Sequence, residues 1–357
     1  MIDNIISSFI TEASTSGAMI TVFTTNPVNN YFSSAGANFD DIWQTWQKPA
    51  GARCVYIIAH GAGSSGAVGC NTGATGGGGA GGSSGEMKSG FFPAFMLPDT
   101  LYIQIGRGGF QPAVLVSSAG CVNGGHTYVA TDPVPRVTVE ANVSVLLMAA
   151  GGQDATTTTG NFANVTAGGQ TIGTAQFVTP ITSNPRQSLG IGMANAAPSN
   201  GGTNGGAPGA PGGSVTFFNG SVIVGTGCAR NGGGGGGSGS GGNGGVPGNI
   251  SLGISNTSAG TLLQNYLDIP LSAGGQGTGT ATPATPGCHG VITKFLFHHL
   301  GGAGGGGGSG TGGGTASDAG NGFLGAGGGG GSGTTTTNPT LGRPGNGGDG
   351  FVVIMAW

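Results

Sequence analysis

Several residue patterns in this sequence carry chemistry in other settings, and each needs a particular neighbourhood to do so. Gly61, Gly63 and Gly66 follow the apolar run 55–59 at the spacing of a dinucleotide-binding turn, and Glu86 lies where such a site places its ribose-binding acid. That chemistry requires a helix whose N-terminus faces the pyrophosphate. Gly66 instead leads into Ala-Val-Gly-Cys-Asn-Thr-Gly and then a run of glycines, which cannot sustain a helix. Gly81, Ser83 and Gly85 match the nucleophile elbow of serine hydrolases, but neither flank offers the strand and helix between which an elbow stands. Ser83 therefore reads as one more residue of a glycine tract. His298 and His299 are adjacent at the end of an apolar run, and neighbours on a strand point to opposite faces, so they cannot hold one ion together. His60, His126 and His289 are the other imidazoles, and no spacing among the five marks a metal site. Only Asp40 and Asp41 stand as neighbouring carboxylates, and no general acid/base pair is visible. The reading is of a protein that is not an enzyme, with no catalytic residue, no cofactor and no metal.

Cysteine usage agrees with that reading. Cys54, Cys70, Cys121, Cys228 and Cys288 are odd in number, widely scattered, and lack the paired spacing of a zinc site. Free thiols made in a reducing cytosol are expected, with a Cys54 to Cys70 bridge left open. Sequons such as those at Asn142, Asn164 and Asn219 have meaning only on secretion, and the first ten residues carry Asp3 with no basic stretch ahead of an apolar one. A soluble product without a secretory signal is expected, and no apolar run is long enough to span a membrane.

Composition sets the frame in which such residues must sit. The chain has 357 residues, of which 85 are Gly and 18 are Pro, so an ordinary helical enzyme is excluded. Charged residues make up 6% and the formal net charge is -3, which leaves no electrostatic footprint for nucleic acid. Disorder of the usual kind needs high net charge and few apolar residues, whereas 36% here are hydrophobic and 16 are Phe. The glycine has to be folded into something.

Apolar runs of strand length, rich in β-branched residues and bounded by Gly, Asn or Pro, fall at 55–59, 101–105, 113–117, 143–148, 215–218, 221–224, 291–297 and 351–355. Asn219-Gly220 between two of them is the strongest short-range hairpin signal. Between the runs lie glycine tracts, chiefly 61–85, 201–213, 231–249, 301–314 and 325–333. Mobile linkers would leave the strands without neighbours. The alternative is that the tracts are rods of three residues per turn, lying close together because nothing projects from their sides and bonded to one another through the main chain. Ordering glycine costs roughly 0.5 to 1 kcal/mol more per residue than ordering alanine, so such an array forms only if nearly every backbone group finds a partner. The threefold period is not sustained, which excludes a collagen helix. The fold class is thus all-β, a sandwich-like body of short strands with packed polyglycine or polyproline II-type rods. Three segments are expected: 1–45, where Ile2, Ile5, Ile6, Phe9 and Ile10 and the run 19–25 suggest attachment or oligomerisation; 46–150, a first β-rich glycine-rich module; and 151–357, a second glycine-rich body ending in a strand.

The order of features carries a resemblance. Trp46-Gln-Lys-Pro49-Ala-Gly51, the strand 55–59, a glycine tract, Leu101-Tyr-Ile-Gln-Ile-Gly106-Arg-Gly-Gly109, Leu146-Leu-Met-Ala-Ala-Gly151-Gly and a final Gly348-Asp-Gly350 strand ending in Trp357 resemble the glycine-rich domain of bacteriophage tail fibre and tail tip adhesin proteins, over about residues 46–357. The sequence departs from those adhesins in having more strand-like interruptions and a head of another type.

The resemblance implies a virion structural protein, surface-exposed on the particle and assembled in the host cytoplasm, that mediates non-covalent host attachment. Its implied partners are other virion proteins, through the N-terminal segment, and a host surface glycan or outer-membrane protein. A homo-oligomer, in particular a trimer, is expected, with neither nucleic acid nor membrane insertion. Receptor contact would fall to exposed loops at 154–165, 249–267, 316–324 and 334–341, with Tyr266, Phe323 and Phe162 as aromatic contacts, because a ring offers a broad apolar face at little rotamer cost. Two other structural readings are a capsid decoration or surface-spike subunit, and an ice- or surface-binding polyglycine protein, the latter disfavoured by the strand-rich interruptions and the odd thiol count.

Overall fold

The fold is taken from a computed structural model, which describes residues 19–25, 43–69, 79, 81–82, 85, 87–110, 122–133, 144–149, 151–152, 192–193, 215–216, 218–219, 222–223, 250–251, 318–325, 327–331 and 342–357. Among these there is no α-helix, only a 3₁₀ turn at Ala94–Met96. The protein is all-β in what is described, as its β-branched runs predict. The runs 113–117 and 291–297 lie outside the described residues.

Two antiparallel sheets make the body. The first holds β1 (Met19–Phe23), β3 (Cys54–His60), β4 (Met87–Pro93), β8 (Gly192–Met193) and β13 (Phe351–Ala356), in the order β1-β13-β3-β4-β8. Strands from all three sequence segments, 1–45, 46–150 and 151–357, therefore share this sheet, and the last strand lies between β1 and β3. The second sheet is a meander of β2 (Gln44–Gln47), β5 (Thr100–Gln104), β6 (Thr127–Ala130) and β7 (Val145–Ala149).

Their facing sides share one hydrophobic core. Val55, Ile57 and Ala59 of β3 and Val352, Ile354 and Ala356 of β13 meet Trp46, Leu101, Ile103, Val129 and Leu147 of the other sheet. The period-two placement of those residues on β3 and β13 is what selects the register. The opposite side of the first sheet carries a second cluster of Ile58, Phe351 and Val353, against which Ile20, Val22, Tyr56, Met355 and Leu324 pack.

Four short strands stand apart from these two sheets. β10 (Phe218–Asn219) and β11 (Val222–Ile223) pair antiparallel, and β9 (Val215–Thr216) pairs parallel with β12 (Ile250–Ser251). The hairpin expected at Asn219-Gly220 is present with its turn displaced by one residue. Asn219 is itself paired with Val222, so the two-residue connection is 220–221. Gly-Ser is also among the dipeptides that join two strands, and Phe218 pairs with Ile223.

At one end of the body the strands run on into glycine-rich segments: β3 into 61–69, β5 into 105–110, β7 into 151–152, while 122–126 leads into β6 and 342–350 into β13. These segments carry neither strand nor helix, yet residues 61–69 are all buried. Their main-chain hydrogen bonds step by three. Ala62 and Ser65 N–H donate to the carbonyls of Gly125 and Val122, both at 3.0 Å, while Gly63 and Gly66 N–H donate to Gly348 and Gly345 at 2.8 and 2.9 Å. Gly328 and Gly331 N–H donate to Ser64 and Ala67, and Gly79, Gly82 and Gly85 N–H donate to Gly331, Gly328 and Gly325 at 2.7, 2.7 and 2.8 Å. Gly109 and Gly152 N–H also reach the carbonyls of Gly63 and Ala62. The stretch 62–67 thus bonds to more neighbours than the two that a strand can have.

Close approach is what glycine supplies here. A Cβ at Gly66 would run into the carbonyl of Gly329, and one at Gly347 into that of Gly63, both well inside van der Waals contact. The buried hydroxyl of Ser65 is also satisfied: its Oγ donates to the Gly66 carbonyl at 3.1 Å and accepts from Val122 N–H at 2.8 Å.

Candidate functional site

Beside the point where β1 ends, three pieces of chain meet around a cleft of about 560 Å³: residues 22–25, the turn at 321–324 and the segment 346–349. The size falls within the ~300–1,000 Å³ of small-molecule sites. Each wall is built by a local device that its sequence dictates.

The first wall is fixed by Asp349. This residue stands between Gly348 and Gly350, just before β13, so no neighbouring side chain shields it. Its Oδ2 accepts from Thr25 Oγ at 2.7 Å and its Oδ1 from Gly108 N–H at 2.7 Å. One carboxylate thus ties the end of β1 to the continuation of β5, and its position is set from two sides.

A second device positions the turn. Asp318 Oδ1 accepts from Arg343 N–H at 2.8 Å, and Ala319 N–H donates to the Arg343 carbonyl at 2.8 Å. Three residues on the same arrangement recurs. Asn321 Oδ1 accepts from Asn346 N–H at 2.8 Å, and Gly322 N–H donates to the Asn346 carbonyl at 2.8 Å. In both repeats a short polar side chain takes the place of a peptide carbonyl.

The threefold step then stops. Leu324 has φ of 33° and Gly325 of 79°, two successive left-handed residues that turn the chain back. For leucine this region is strained. Its packing against the Ile58, Phe351 and Val353 cluster offsets the strain. Gly325 has no alternative, since a Cβ there would strike the imidazole of His60. That imidazole is fully buried, lies 5.3 Å from the ring of Phe351 in a stacked pair, and approaches the Gly61 carbonyl at 2.6 Å through Nδ1. A carbonyl only accepts, so Nδ1 carries the proton.

Of the three aromatic residues that the sequence points to, Phe323 lines this cleft and is half-buried. Tyr266 and Phe162 lie outside the described residues, as do the loops 154–165 and 334–341 and, apart from Ile250 and Ser251 of β12, the loop 249–267. Thr25, Asn321, Asn346 and Asp349, which also line it, were not singled out by the sequence. The only signal for the amides is the three-residue spacing of Asp318 and Asn321, repeated by Arg343 and Asn346.

The residues with catalytic spacing are accounted for differently. Gly63 and Gly66, of the dinucleotide-like pattern, spend their N–H groups on the carbonyls of Gly348 and Gly345 rather than facing an open site. His126 accepts from Gly151 N–H at 2.8 Å through Nδ1 and meets the ring of Tyr128 edge-on at 6.1 Å. Ser83, His289, His298 and His299 lie outside the described residues. Cys54 carries a free, half-buried thiol. No protein-family model matches the chain, and no curated protein matches it significantly.

Proposed function

We propose that the chain is a bacteriophage virion structural protein, a tail fibre or receptor-binding component that attaches the particle to its host without covalent chemistry. In this reading its glycine-rich segments are polyglycine II-type rods, which pack against one another and continue the strands of the body. The observation that carries the proposal is the three-residue step of the main-chain bonds between segments 62–67, 122–125, 328–331 and 345–348. A polyproline II-type helix has three residues per turn, so successive turns present the same group to the same neighbour. That is the arrangement implied by the resemblance to phage adhesins.

A body of this kind is a rigid presenter rather than a reactor. The interior of its glycine-rich part is bonded main chain, and alterable residues belong to the turns where rods end, such as 321–324. Other virion proteins would be engaged by the part of residues 1–45 outside β1, and the chain would act as a homo-oligomer on the particle surface.

The test is adsorption competition. Purified full-length chain added to host cells before the phage should reduce adsorption in proportion to its concentration. A chain that leaves adsorption unchanged at saturating concentration would overturn the adhesin reading. Antibody label over the capsid shell alone would move the protein to a decoration role.

A further inference from the structure

We infer that the cleft bounded by Asp349, Phe323 and the amides of Asn321 and Asn346 is a binding site for a neutral sugar, an uncharged hexose unit of a surface glycan. The inference rests on the reading of the chain as a receptor-binding protein and names the ligand class of one site on it.

The chemistry of the lining makes the choice. A hexose presents hydroxyls that donate and accept, and a C–H face that is apolar. The cleft offers a carboxylate, two primary amides and the hydroxyl of Thr25, with Phe323, Leu324 and Val22 as apolar surface. Hydroxyl donors bind a carboxylate with the stronger, charge-assisted kind of hydrogen bond. An aromatic ring beside polar groups suits the mixed faces of a sugar.

Pre-organisation supports the same class. Asp349 is held at both oxygens, by Thr25 and by Gly108 N–H, so binding does not have to order it. Each carboxylate oxygen has lone-pair capacity beyond one bond. Asn321 is fixed through its Oδ1 on Asn346 N–H, which sets the direction of its amide. The floor between them, Gly347 and Gly348, has no side chain to obstruct a ligand.

Charge excludes the main alternative. Among the described residues no Lys, Arg or His lines the cleft, and Asp349 is the one ionisable group. A sialic acid, a uronic acid or a phosphate would meet a like charge with nothing to neutralise it.

Saturation-transfer NMR on the full chain tests the proposal, with the methyl glycosides of glucose, galactose and mannose, N-acetylglucosamine, and N-acetylneuraminic acid as the acidic probe. At least one neutral probe should bind, and the acidic one should not. Asp349→Asn keeps an acceptor for Gly108 N–H and can donate to Thr25, and should weaken binding about tenfold, the loss of one charge-assisted bond. Phe323→Ala should weaken it by a similar factor, and Asp318→Asn, on the same ladder outside the cleft, should leave it unchanged. Far-UV circular dichroism and the unfolding midpoint of each variant establish that it is folded. If Asp349→Asn does not fold, Phe323→Ala decides alone.

Binding of none of the neutral probes, preference for the acidic one, or equal affinity in folded Asp349→Asn and Phe323→Ala would each overturn the inference. Failure of the wider reading looks different. Sugar binding that depends on Asp349, in a chain that does not compete for adsorption, leaves the cleft intact and removes the adhesin role. Competition that both variants retain in full removes the cleft and leaves the adhesin.

Discussion

Between Cys54 and Ala67 one stretch of chain passes from one kind of order to another. As β3 it pairs with β13 on one side and β4 on the other, and its alternate side chains Val55, Ile57 and Ala59 fill the core between the sheets. Beyond His60 the side chains shrink to Ala, Gly and Ser, yet residues 61–69 remain buried and the main chain bonds in several directions with a step of three. The difference teaches where the cohesion resides. In the strands it comes from apolar area, of order 25 cal/mol per Å² removed from water, whose alternation along the strand also sets the register. In the glycine segments little apolar area exists, and cohesion depends on close contact and on leaving no buried peptide group without a partner.

The sharpest way to break that contrast is to add one carbon to the glycine region. Gly66→Ala should destabilise the chain by about 4 kcal/mol, combining overpacking with the loss of a buried main-chain bond. The atoms in its way are the backbone of Gly329 and Gly330, which cannot swing aside as a side-chain tip could. Gly51→Ala is the control: Gly51 has φ of 81° and nothing within 4 Å of its Cβ position, so only the left-handed strain of about 1 kcal/mol remains. Urea unfolding compares the two. Equal midpoints would mean that the segments are not held against one another.

Removing carbon gives the second contrast, and a smaller one. Ile57→Ala, at a fully buried position of β3, should cost about 3 kcal/mol through the cavity that it leaves. Ala62→Gly, a few residues on and equally buried, removes one methyl and should cost about 1 kcal/mol, chiefly the entropy of ordering another glycine. If the Ala62 variant were as damaging as the Ile57 variant, side-chain packing would matter in the glycine region as much as in the sheets.

The same division explains what could be read from the sequence. The runs at 55–59, 101–105, 143–148 and 351–355 announce β3, β5, β7 and β13 because β-branched residues bounded by glycine have few other uses, and the run 19–25 contains β1. β4 was not legible, since Gly90 and Pro93 speak against a strand. It forms because it pairs with β3 from Met87 to Pro93 and buries Phe92 in the core. Nor could the sequence place β13 between β1 and β3, pairings of residues 291 to 337 positions apart.

In the cleft, Phe323 was legible as an aromatic residue on a loop flanking glycine tracts. Asp349 was not. A lone carboxylate between two glycines signals nothing until folding brings Thr25 and Gly108 to it, across separations of 324 and 241 residues.

The smallest expected effect sharpens the comparison at its boundary, where side chains replace peptide groups. Asp318 is exposed, and its Oδ1 accepts from Arg343 N–H on the outermost step of the ladder that Asn321 continues inward. If its role is to imitate a carbonyl, Asp318→Asn retains the acceptor and should leave the unfolding midpoint unchanged, while Asp318→Ala should cost about 1 kcal/mol, the net worth of one hydrogen bond. A charge effect would instead penalise Asn and Ala alike and fade with added salt, because exposed charges are screened over about 10 Å at 0.1 M ionic strength. Unfolding of both variants at low and high salt separates the two causes. Equal, salt-sensitive losses would mean that Asp318 acts as an anion at the rim, and the three-residue ladder would then owe its outer step to charge rather than to a side chain standing in for the backbone.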